Sequence, residues 1–205
     1  MQSKADLHVH SKYSDRPSEW ILRRMGTPES FVEPLAVYRA CRERGMDFVT
    51  ITDHNRIDGA LEIAHLPGTF VSAEVTTYFP EDGAKIHCLA WDISERQFEH
   101  IQRCRDSIYV LRDYLAAEGI LHAIAHPFLS VNGRLTLEHL EKLVVMFNRF
   151  ELINATEHRV SVDGWRDICA SLTPEKFEQL ACHYDLEPLG ETPWIKDFTG
   201  GSDDH

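Results

Sequence analysis

Short apolar segments rich in β-branched residues alternate along the chain with longer segments whose apolar residues recur at helical spacing. Segments of the first kind are typical of strands, and apolar positions three or four residues apart are typical of amphipathic helices. The pattern predicts strands at residues 5–10, 47–53, 69–79, 85–92, 121–126, 150–155 and, weakly marked, 198–202. It predicts helices at residues 29–45, 95–119, 135–148 and 174–184.

The order of these elements indicates the fold class. Strands that alternate with helices imply a parallel sheet in an α/β fold. Seven strands within 205 residues favour a closed, barrel-like sheet over an open one. We expect a single domain over residues 1–205, in which residues 16–27 form a loop or short helix over one end of the fold.

The composition limits the partners and the location. A formal net charge of −12 argues against binding along a nucleic-acid backbone, beyond short oligonucleotides, because such binding needs a basic surface. Bound divalent cations would offset part of this charge and let a phosphate bind locally. The longest apolar run, residues 143–147, is too short for a membrane span, and no secretory signal is visible. We therefore expect no membrane partner, a cytoplasmic location and reduced cysteines.

Histidine is over-represented, with 12 in 205 residues, and its placement is informative. His8 and His10 alternate along the first predicted strand, so both side chains point to one face and can chelate one ion. Other predicted strands also carry an imidazole or a carboxylate within them or at an end, namely Asp53 and His54, Glu74, His87, His126, and Asp203 with His205. In α/β barrels, active sites form at the C-terminal ends of the strands.

A metal site explains this set better than core packing does. A single histidine in a strand is usually a structural residue, and an isolated HxH pair is a weak signal. Six strand-like segments that each contain or end at a His, Asp or Glu are a stronger signal of a metal site, because buried charges are costly unless they are compensated. Metal coordination supplies the compensation, and a mixture of imidazole and carboxylate ligands favours Zn, Mn or Fe over Mg or Ca.

The sequence resembles the polymerase and histidinol phosphatase (PHP) superfamily of metal-dependent phosphoesterases. The resemblance rests on Glu74, His87 and the motifs DLHVHS at residues 6–11, TDHN at 52–55, AHP at 125–127 and GSDDH at 201–205. It implies a distorted seven-stranded (β/α)7 TIM-like barrel. It also implies a domain that continues past the last motif into a helix, which leaves open a truncation at the C-terminal end of this chain.

The resemblance further implies two or three divalent ions. The ligands of one ion would be His8, His10, Glu74 and Asp203. The ligands of a second would be Glu74, His87 and His126, with Glu74 bridging the two ions. The ligands of a third would be Asp15, which follows the first motif in a loop, His54 and His205.

The expected reaction is the hydrolysis of a small phosphomonoester or a short nucleotide by a metal-activated hydroxide. Asp53 is the candidate for orienting the His54 ring, and His205 or Asp203 is the candidate for relaying protons. A substrate phosphate also needs a cation besides the metals, and the candidates are Arg16, Arg56, Arg134 and Arg159. The Gly200-Gly201 pair is a weaker candidate for anion binding through backbone N–H groups.

Three alternatives remain open. An exonuclease is disfavoured by the acidic charge. A non-catalytic, metal-bearing regulatory module of a larger protein is the second alternative. Residues 16–31 and 45–67 resemble PHP regions joined to group 1 glycosyltransferases, so a fused glycosyltransferase domain is a candidate partner. A metal-dependent amidohydrolase is disfavoured because no strand lysine is placed for carboxylation.

Overall fold

The computed structural model describes residues 3–14, 30–154 and 159–204, without the side chains of residues 159–162. The strands in this part of the chain are β1 (Ala5–Asp6), β2 (Phe48–Val49), β3 (Ser72–Tyr78), β4 (Lys85–Trp91), β5 (Leu121–Ile124), β6 (Arg149–Ile153) and β7 (Asp197–Gly200). The helices are α1 (Pro34–Glu43), α2 (Asp58–Ile63), α3 (Glu95–Cys104), α4 (Ile108–Ala117), α5 (Leu137–Met146), α6 (Arg159–Ala170) and α7 (Pro174–Tyr184). All seven expected strands are present in a mixed α/β fold, but β1 and β2 contain only two residues each, instead of the six and seven expected at residues 5–10 and 47–53.

The strands form two sheets. β1 and β2 pair in parallel, and the other five form a sheet in the order β3-β4-β5-β6-β7. β5, β6 and β7 are parallel, as expected, but β4 is antiparallel to both of its neighbours. The expectation of an all-parallel sheet is therefore wrong at β4.

A tight turn between β3 and β4 explains the reversed direction of β4. The backbone N–H of Phe79 donates to the carbonyl oxygen of Ala84 at 2.9 Å, and that of Gly83 donates to the carbonyl oxygen of Phe79 at 2.8 Å. Gly83 has a φ of 74°, which glycine adopts at little cost. A turn this short cannot carry the chain back across a parallel sheet, so β3 and β4 form a hairpin.

The described strands do not form one continuous closed sheet, because the ladder is interrupted between β2 and β3 and between β7 and β1. Isolated parallel bridges lie at both interruptions: Val49 with Thr69, His54 with Glu74, and Val9 with Asp204. Two residues next to these bridges, Asn55 and Asp203, have φ values of 54° and 51°. A strand cannot continue through such a conformation, so extended pairing ends at these two residues.

The five-stranded sheet has an outer face covered by helices and an inner face that meets β1. Alternate residues of β4 separate the two faces, with Cys88 in the main core and Leu89 in a smaller inner group. The inner group also contains Trp91, whose Nε1–H donates to the carbonyl oxygen of Leu7 at 2.9 Å. Apolar residues thus fill one end of the inner face and leave the other end to polar side chains.

The helices differ from the expected ones in three places. The predicted helix at residues 95–119 is two helices, α3 and α4, which are separated at the polar residues 105–107. Helices α2 and α6 were not predicted at all. Within the described part of the chain, no helix combines the length and the apolar character that a membrane span requires.

Candidate metal centre

Glu74 lies in β3, and its side chain is fully buried. Its Oε1 is 3.0 Å from Nε2 of His126, which follows β5, and 2.8 Å from Nδ1 of His87, which lies in β4. Its Oε2 is 2.8 Å from Nδ1 of His54, which follows β2. A single carboxylate thus contacts imidazoles from three different segments of the chain.

Two further imidazoles and a second carboxylate complete the group. Nε2 of His8 and Nε2 of His10 each lie 3.3 Å from Oε2 of Glu74. Oδ1 of Asp203, which follows β7, is 3.2 Å from both of these nitrogens. We call the whole group the ligand cluster, and its members are His8, His10, His54, Glu74, His87, His126 and Asp203.

Two hydrogen bonds indicate the tautomers of His8 and His10. Nδ1 of His8 is 3.0 Å from Oε1 of Glu151, and an ionised carboxylate accepts hydrogen bonds but does not donate them, so Nδ1 carries a proton. Nδ1 of His10 is 2.8 Å from Oγ of Ser14, whose own hydrogen is donated to Asp53 at 3.0 Å. In the neutral rings both Nε2 atoms therefore offer lone pairs, although they are 3.1 Å apart. Two lone pairs repel at this distance unless they share a cation.

The donor set fits metal ions. Three subsets each place one ligand atom per residue within 4.8 Å of the others, namely His8 with His10 and Asp203, His10 with His54 and Glu74, and Glu74 with His87 and His126. Oε2 of Glu74 and Nδ1 of His87 are buried and make no hydrogen bond to the described residues, despite their short contacts in the cluster. Mixed imidazole and carboxylate sets suit zinc and first-row transition metals better than calcium or magnesium.

Burial and charge act against each other in the ligand cluster. Burial lowers the pKa of His87 to about 4, although Glu74 opposes it, so this ring is neutral at pH 7. Burial also lowers the pKa of His8, but the charges of Glu74 and Glu151 outweigh it and hold that pKa well above its usual value. For Glu74, burial raises the pKa, but His54 and the neighbouring rings outweigh it and hold that pKa well below its usual range. The cluster therefore holds an ionised carboxylate next to imidazoles whose protons a cation can replace.

The reversed direction of β4 explains the position of His87. His87 lies near the start of its strand, whereas His54 and His126 follow the ends of theirs. Because β4 is antiparallel to β3, its start lies beside the end of β3, and His87 pairs with Thr76 in the ladder. The hairpin thus brings His87 to the same end of the sheet as the other ligands.

Asn55 fastens the loop after His54 to β3. Its Oδ1 accepts the backbone N–H of Thr76 at 2.8 Å, and its Nδ2 donates to Oγ1 of Thr76 at 2.9 Å. Its backbone has a φ of 54°, a conformation that asparagine tolerates better than most residues. This clamp lies two residues from Glu74 and holds His54 against it.

Asp53 does not orient the His54 ring. Its Oδ1 accepts the backbone N–H of Ser11 at 2.7 Å and the hydroxyl of Ser14 at 3.0 Å, and its Oδ2 accepts the hydroxyl of Ser11 at 2.7 Å. Burial raises the pKa of Asp53, although these hydrogen bonds oppose it. Asp53 therefore anchors the loop after His10, and through Ser14 it fixes the tautomer of that ring.

Gly201 allows the end of β7 to lie close to His8, and its N–H is not available to an anion. That N–H donates to the carbonyl oxygen of Ile153 at 2.9 Å. A Cβ at this position would lie 2.2 Å from the Cβ of His8 and 2.9 Å from Oε1 of Glu151. Glycine is required here so that the end of β7 can pack against the first segment of the ligand cluster.

The other predicted site residues fall into two groups. Asp15, Arg16 and His205 lie outside the described residues, as does the side chain of Arg159. The Nε–H of Arg56 donates to Asp58 at 3.0 Å, and its guanidinium lies 5.4 Å from the ring centre of Tyr13. The guanidinium of Arg134 donates to the carbonyl oxygen of Asp82. The roles of these residues with substrate stay predictions.

Two buried residues beside the ligand cluster were not predicted from the sequence. Glu151 lies in β6, where its carboxylate accepts hydrogen bonds from His8 and from the backbone N–H of His126. Asn154 follows β6 and donates to Glu151 and Asp203. An acid between Phe150 and Leu152 in an apolar strand is the same signal that identified Glu74.

Comparisons with known proteins find a relative that is matched over a short segment, and several solved structures of low sequence identity. No protein-family model matches the chain. An uncharacterized protein of Methanocaldococcus jannaschii is 40% identical over 67 residues, which cover 33% of this chain and 37% of that protein. The matched segment thus spans little more than a third of the relative.

Three of the solved structures similar to this chain are the following. An amidohydrolase of Chromobacterium violaceum, with bound sulfate and no metal, has a TM-score of 0.54 at 15% identity over 99% of this chain and 88% of that one. A candidate metal-dependent phosphoesterase of Bifidobacterium adolescentis has a TM-score of 0.49 at 17% identity over 99% and 88%. A two-domain protein of Bacteroides vulgatus that contains a PHP-like metal-dependent phosphoesterase has a TM-score of 0.48 at 15% identity over 99% and 52%. The first of these likenesses establishes a shared fold.

Proposed function

We propose that this chain is a metal-dependent phosphoesterase of the PHP superfamily, with its strands arranged as a distorted seven-stranded barrel. The observation that supports the proposal is the ligand cluster, in which five imidazoles and Asp203 surround or adjoin the buried carboxylate of Glu74. The substrate we propose is a small phosphomonoester or a short nucleotide. The location we propose is the cytoplasm.

The cofactors we propose are two or three ions of Zn, Mn or Fe. One would be held by His8, His10 and Asp203, and another by Glu74, His87 and His126. His54, with Asp15 and His205, would hold a third. When bound, ions of this kind activate water as a nucleophile and stabilise negative charge on phosphoryl oxygens.

The chain's own residues prepare the ligand cluster for this role. Ser14 and Glu151 accept the Nδ1–H groups of His10 and His8, which leaves both Nε2 atoms unprotonated in the neutral rings. Leu89 and the rest of the inner apolar group lie under the cluster and exclude water from that side. We propose that Asp203 or His205 relays a proton, and that Arg16, Arg56 or Arg159 contacts the substrate phosphate.

Amide hydrolysis is the second candidate. It is favoured by one finding, since the Chromobacterium protein that shares the fold is described as an amidohydrolase. Against it, the seven members of the ligand cluster are five histidines, one glutamate and one aspartate, and none is a lysine that carboxylation would convert into a ligand. The ammonium of the buried Lys196 donates instead to the carbonyl oxygens of Val144, Phe147 and Pro193.

The test begins with the metal content of chelator-free protein, measured by elemental mass spectrometry. We expect two to three ions per chain. Protein loaded with Zn, Mn or Fe is then assayed with phosphomonoesters, dinucleotides, longer oligonucleotides and N-acyl amides. Turnover of phosphomonoesters or dinucleotides supports the proposal, preference for long oligonucleotides indicates an exonuclease, and turnover of amides alone indicates the second candidate.

A matched pair of double variants connects any activity to the cluster. His8→Ala with His10→Ala should remove metal and activity together. His65→Ala with His183→Ala changes two exposed histidines and should change neither. Metal binding without turnover of any substrate would instead indicate a non-catalytic module, such as a domain of a glycosyltransferase-linked protein.

A further inference from the structure

Glu151 is fully buried and contacts three segments of the chain. Its Oε1 and Oε2 lie 3.0 and 3.1 Å from Nδ1 of His8. Its Oε2 also accepts the backbone N–H of His126 at 3.0 Å and the side-chain N–H of Asn154 at 2.8 Å. Both of its oxygens are therefore engaged by N–H donors, and Glu151 belongs to none of the three subsets that could hold a metal.

Asn154 extends this network to the second carboxylate of the ligand cluster. Its Nδ2 donates to Oε2 of Glu151 at 2.8 Å and to Oδ2 of Asp203 at 3.0 Å, so one amide joins two carboxylates. Oδ1 of Asp203 is left to face His8 and His10. Each carboxylate oxygen of Asp203 thus has a different function.

The network also holds two unfavourable backbone conformations. His126 has a φ of 25° and Asp203 has a φ of 51°. Residues other than glycine adopt such angles at a cost and keep them where the surrounding structure enforces them. The backbone N–H of His126 is fixed by Glu151, and the side chain of Asp203 is fixed by Asn154.

We infer that Glu151 and Asn154 are positioning residues that fix three metal ligands without binding metal themselves. This inference rests on the proposed function. Glu151 selects the His8 tautomer that bears its proton on Nδ1, so that Nε2 is free to bind metal, and it fixes the backbone of His126. Asn154 directs one oxygen of Asp203 toward the cluster.

The substitution Glu151→Gln tests the network at constant size. A glutamine has one acceptor oxygen and an NH2 group, and the NH2 group cannot accept the Nδ1–H of His8. If it donates to Nδ1, the ring must carry its proton on Nε2, and that nitrogen no longer binds metal. We expect zinc affinity, measured by chelator competition, to fall about 10- to 100-fold.

The direct measurement is a long-range ¹H–¹⁵N NMR spectrum of the imidazoles in zinc-saturated protein. The unaltered protein and the control Glu178→Gln, an exposed position on α7, should show His8 protonated on Nδ1. Glu151→Gln should lose this signal. A purely structural role would lower the melting temperature of the metal-free protein and leave the tautomer unchanged, and unchanged zinc affinity and tautomer would overturn the inference.

Asn154→Ala is the second variant. It removes the bridge to Asp203 while Glu151 stays in place, so we expect weaker zinc binding with the His8 tautomer retained. Unchanged zinc affinity would overturn the role of Asn154, and this variant decides the inference if Glu151→Gln does not fold. None of these measurements depends on hydrolysis, so a failure of the proposed phosphoesterase activity is distinguished from a failure of the positioning network.

Discussion

Gly201 packs against His8 so closely that a Cβ atom at position 201 would lie 2.2 Å from the Cβ of His8 and 2.7 Å from its backbone nitrogen. Side chains do not tolerate contacts this short, and one of the two atoms involved belongs to the backbone. The glycine therefore sets the separation between the end of β7, which leads to Asp203, and the segment that carries His8 and His10.

We expect Gly201→Ala to reduce stability and metal content together. Forcing a methyl group into a packed site costs about 1–3 kcal/mol, and here it also separates Asp203 from the imidazoles. Urea unfolding and elemental mass spectrometry measure the two effects. The control is Gly164→Ala in α6, where a Cβ meets no atom within 4 Å. That variant should gain up to about 1 kcal/mol of stability, and a similar loss in both variants would contradict the role of the close approach.

Glu74→Gln removes the charge around which the imidazoles are arranged and keeps the shape of the side chain. We expect the protein to lose more than half of its bound metal and about 100-fold or more of its phosphoesterase rate. The matched control is Glu99→Gln on α3, an exposed residue that pairs with Arg103 at 3.6 Å. Full metal content in the Glu74 variant would show that this carboxylate is not a ligand.

The clamp between Asn55 and Thr76 affects stability in two ways, through its two hydrogen bonds and through the backbone conformation of Asn55. Asn55→Ala loses both hydrogen bonds, at about 0.5–1.5 kcal/mol each, and places alanine at an unfavourable φ for about 1 kcal/mol more. Asn55→Gly loses the same hydrogen bonds but tolerates the φ of 54°. We expect unfolding experiments on metal-free protein to find both variants destabilised, with the alanine variant worse by about 1 kcal/mol. Equal stability of the two would show that the backbone conformation contributes little.

His122 makes the stability of the metal-free protein depend on pH in the acidic range. Burial lowers its pKa, although the carbonyl oxygen of Ile120, 2.7 Å from Nδ1, opposes the shift. Because the unfolded chain then binds more protons, the stability from His122 is complete above its ordinary pKa of about 6.5. It is lost as the pH falls through the lowered value.

His122→Gln should therefore make the free energy of unfolding fall less steeply as the pH decreases below about 6.5 than in the unaltered protein. Urea unfolding at several pH values measures this slope. The control is Gln179→Ala, which changes an exposed residue without a titratable group on α7 and should leave the slope unchanged. An unchanged slope in the His122 variant would contradict the assignment.

Most residues of the ligand cluster could be predicted from the sequence, but the hydrogen bonds that position them could not. His8, Glu74, His87 and His126 could be predicted because imidazoles and carboxylates in or beside apolar strands have no packing reason to be there. The direction of β4 was also detectable in principle, since the five residues between the predicted strands 69–79 and 85–92 are too few for a parallel crossover. Glu151 was detectable in principle, because it interrupts an apolar strand as Glu74 does.

Local signals were too weak for the remaining features. Helix α2 contains six residues, too few for a clear helical period, and the split between α3 and α4 depends on a short polar segment. The role of Asp53 was misjudged because neighbours in sequence were taken as partners, whereas its hydrogen bonds reach Ser11 and Ser14, 42 and 39 positions away. Such contacts depend on tertiary packing, which short-range patterns do not encode.

The contacts of the ligand cluster span very different lengths of chain. Glu74 and His126 are 52 positions apart, whereas the bond between His8 and Glu151 joins positions that are 143 apart. Ordering a long loop costs more chain entropy than ordering a short one, so the contacts of His8 are the slower and costlier ones to form. An ion bound at His8 and Asp203 would act as a cross-link between distant parts of the chain. Its removal would therefore destabilise the whole fold. An ion at Glu74, His87 and His126 would mainly stabilise the continuous segment 74–126.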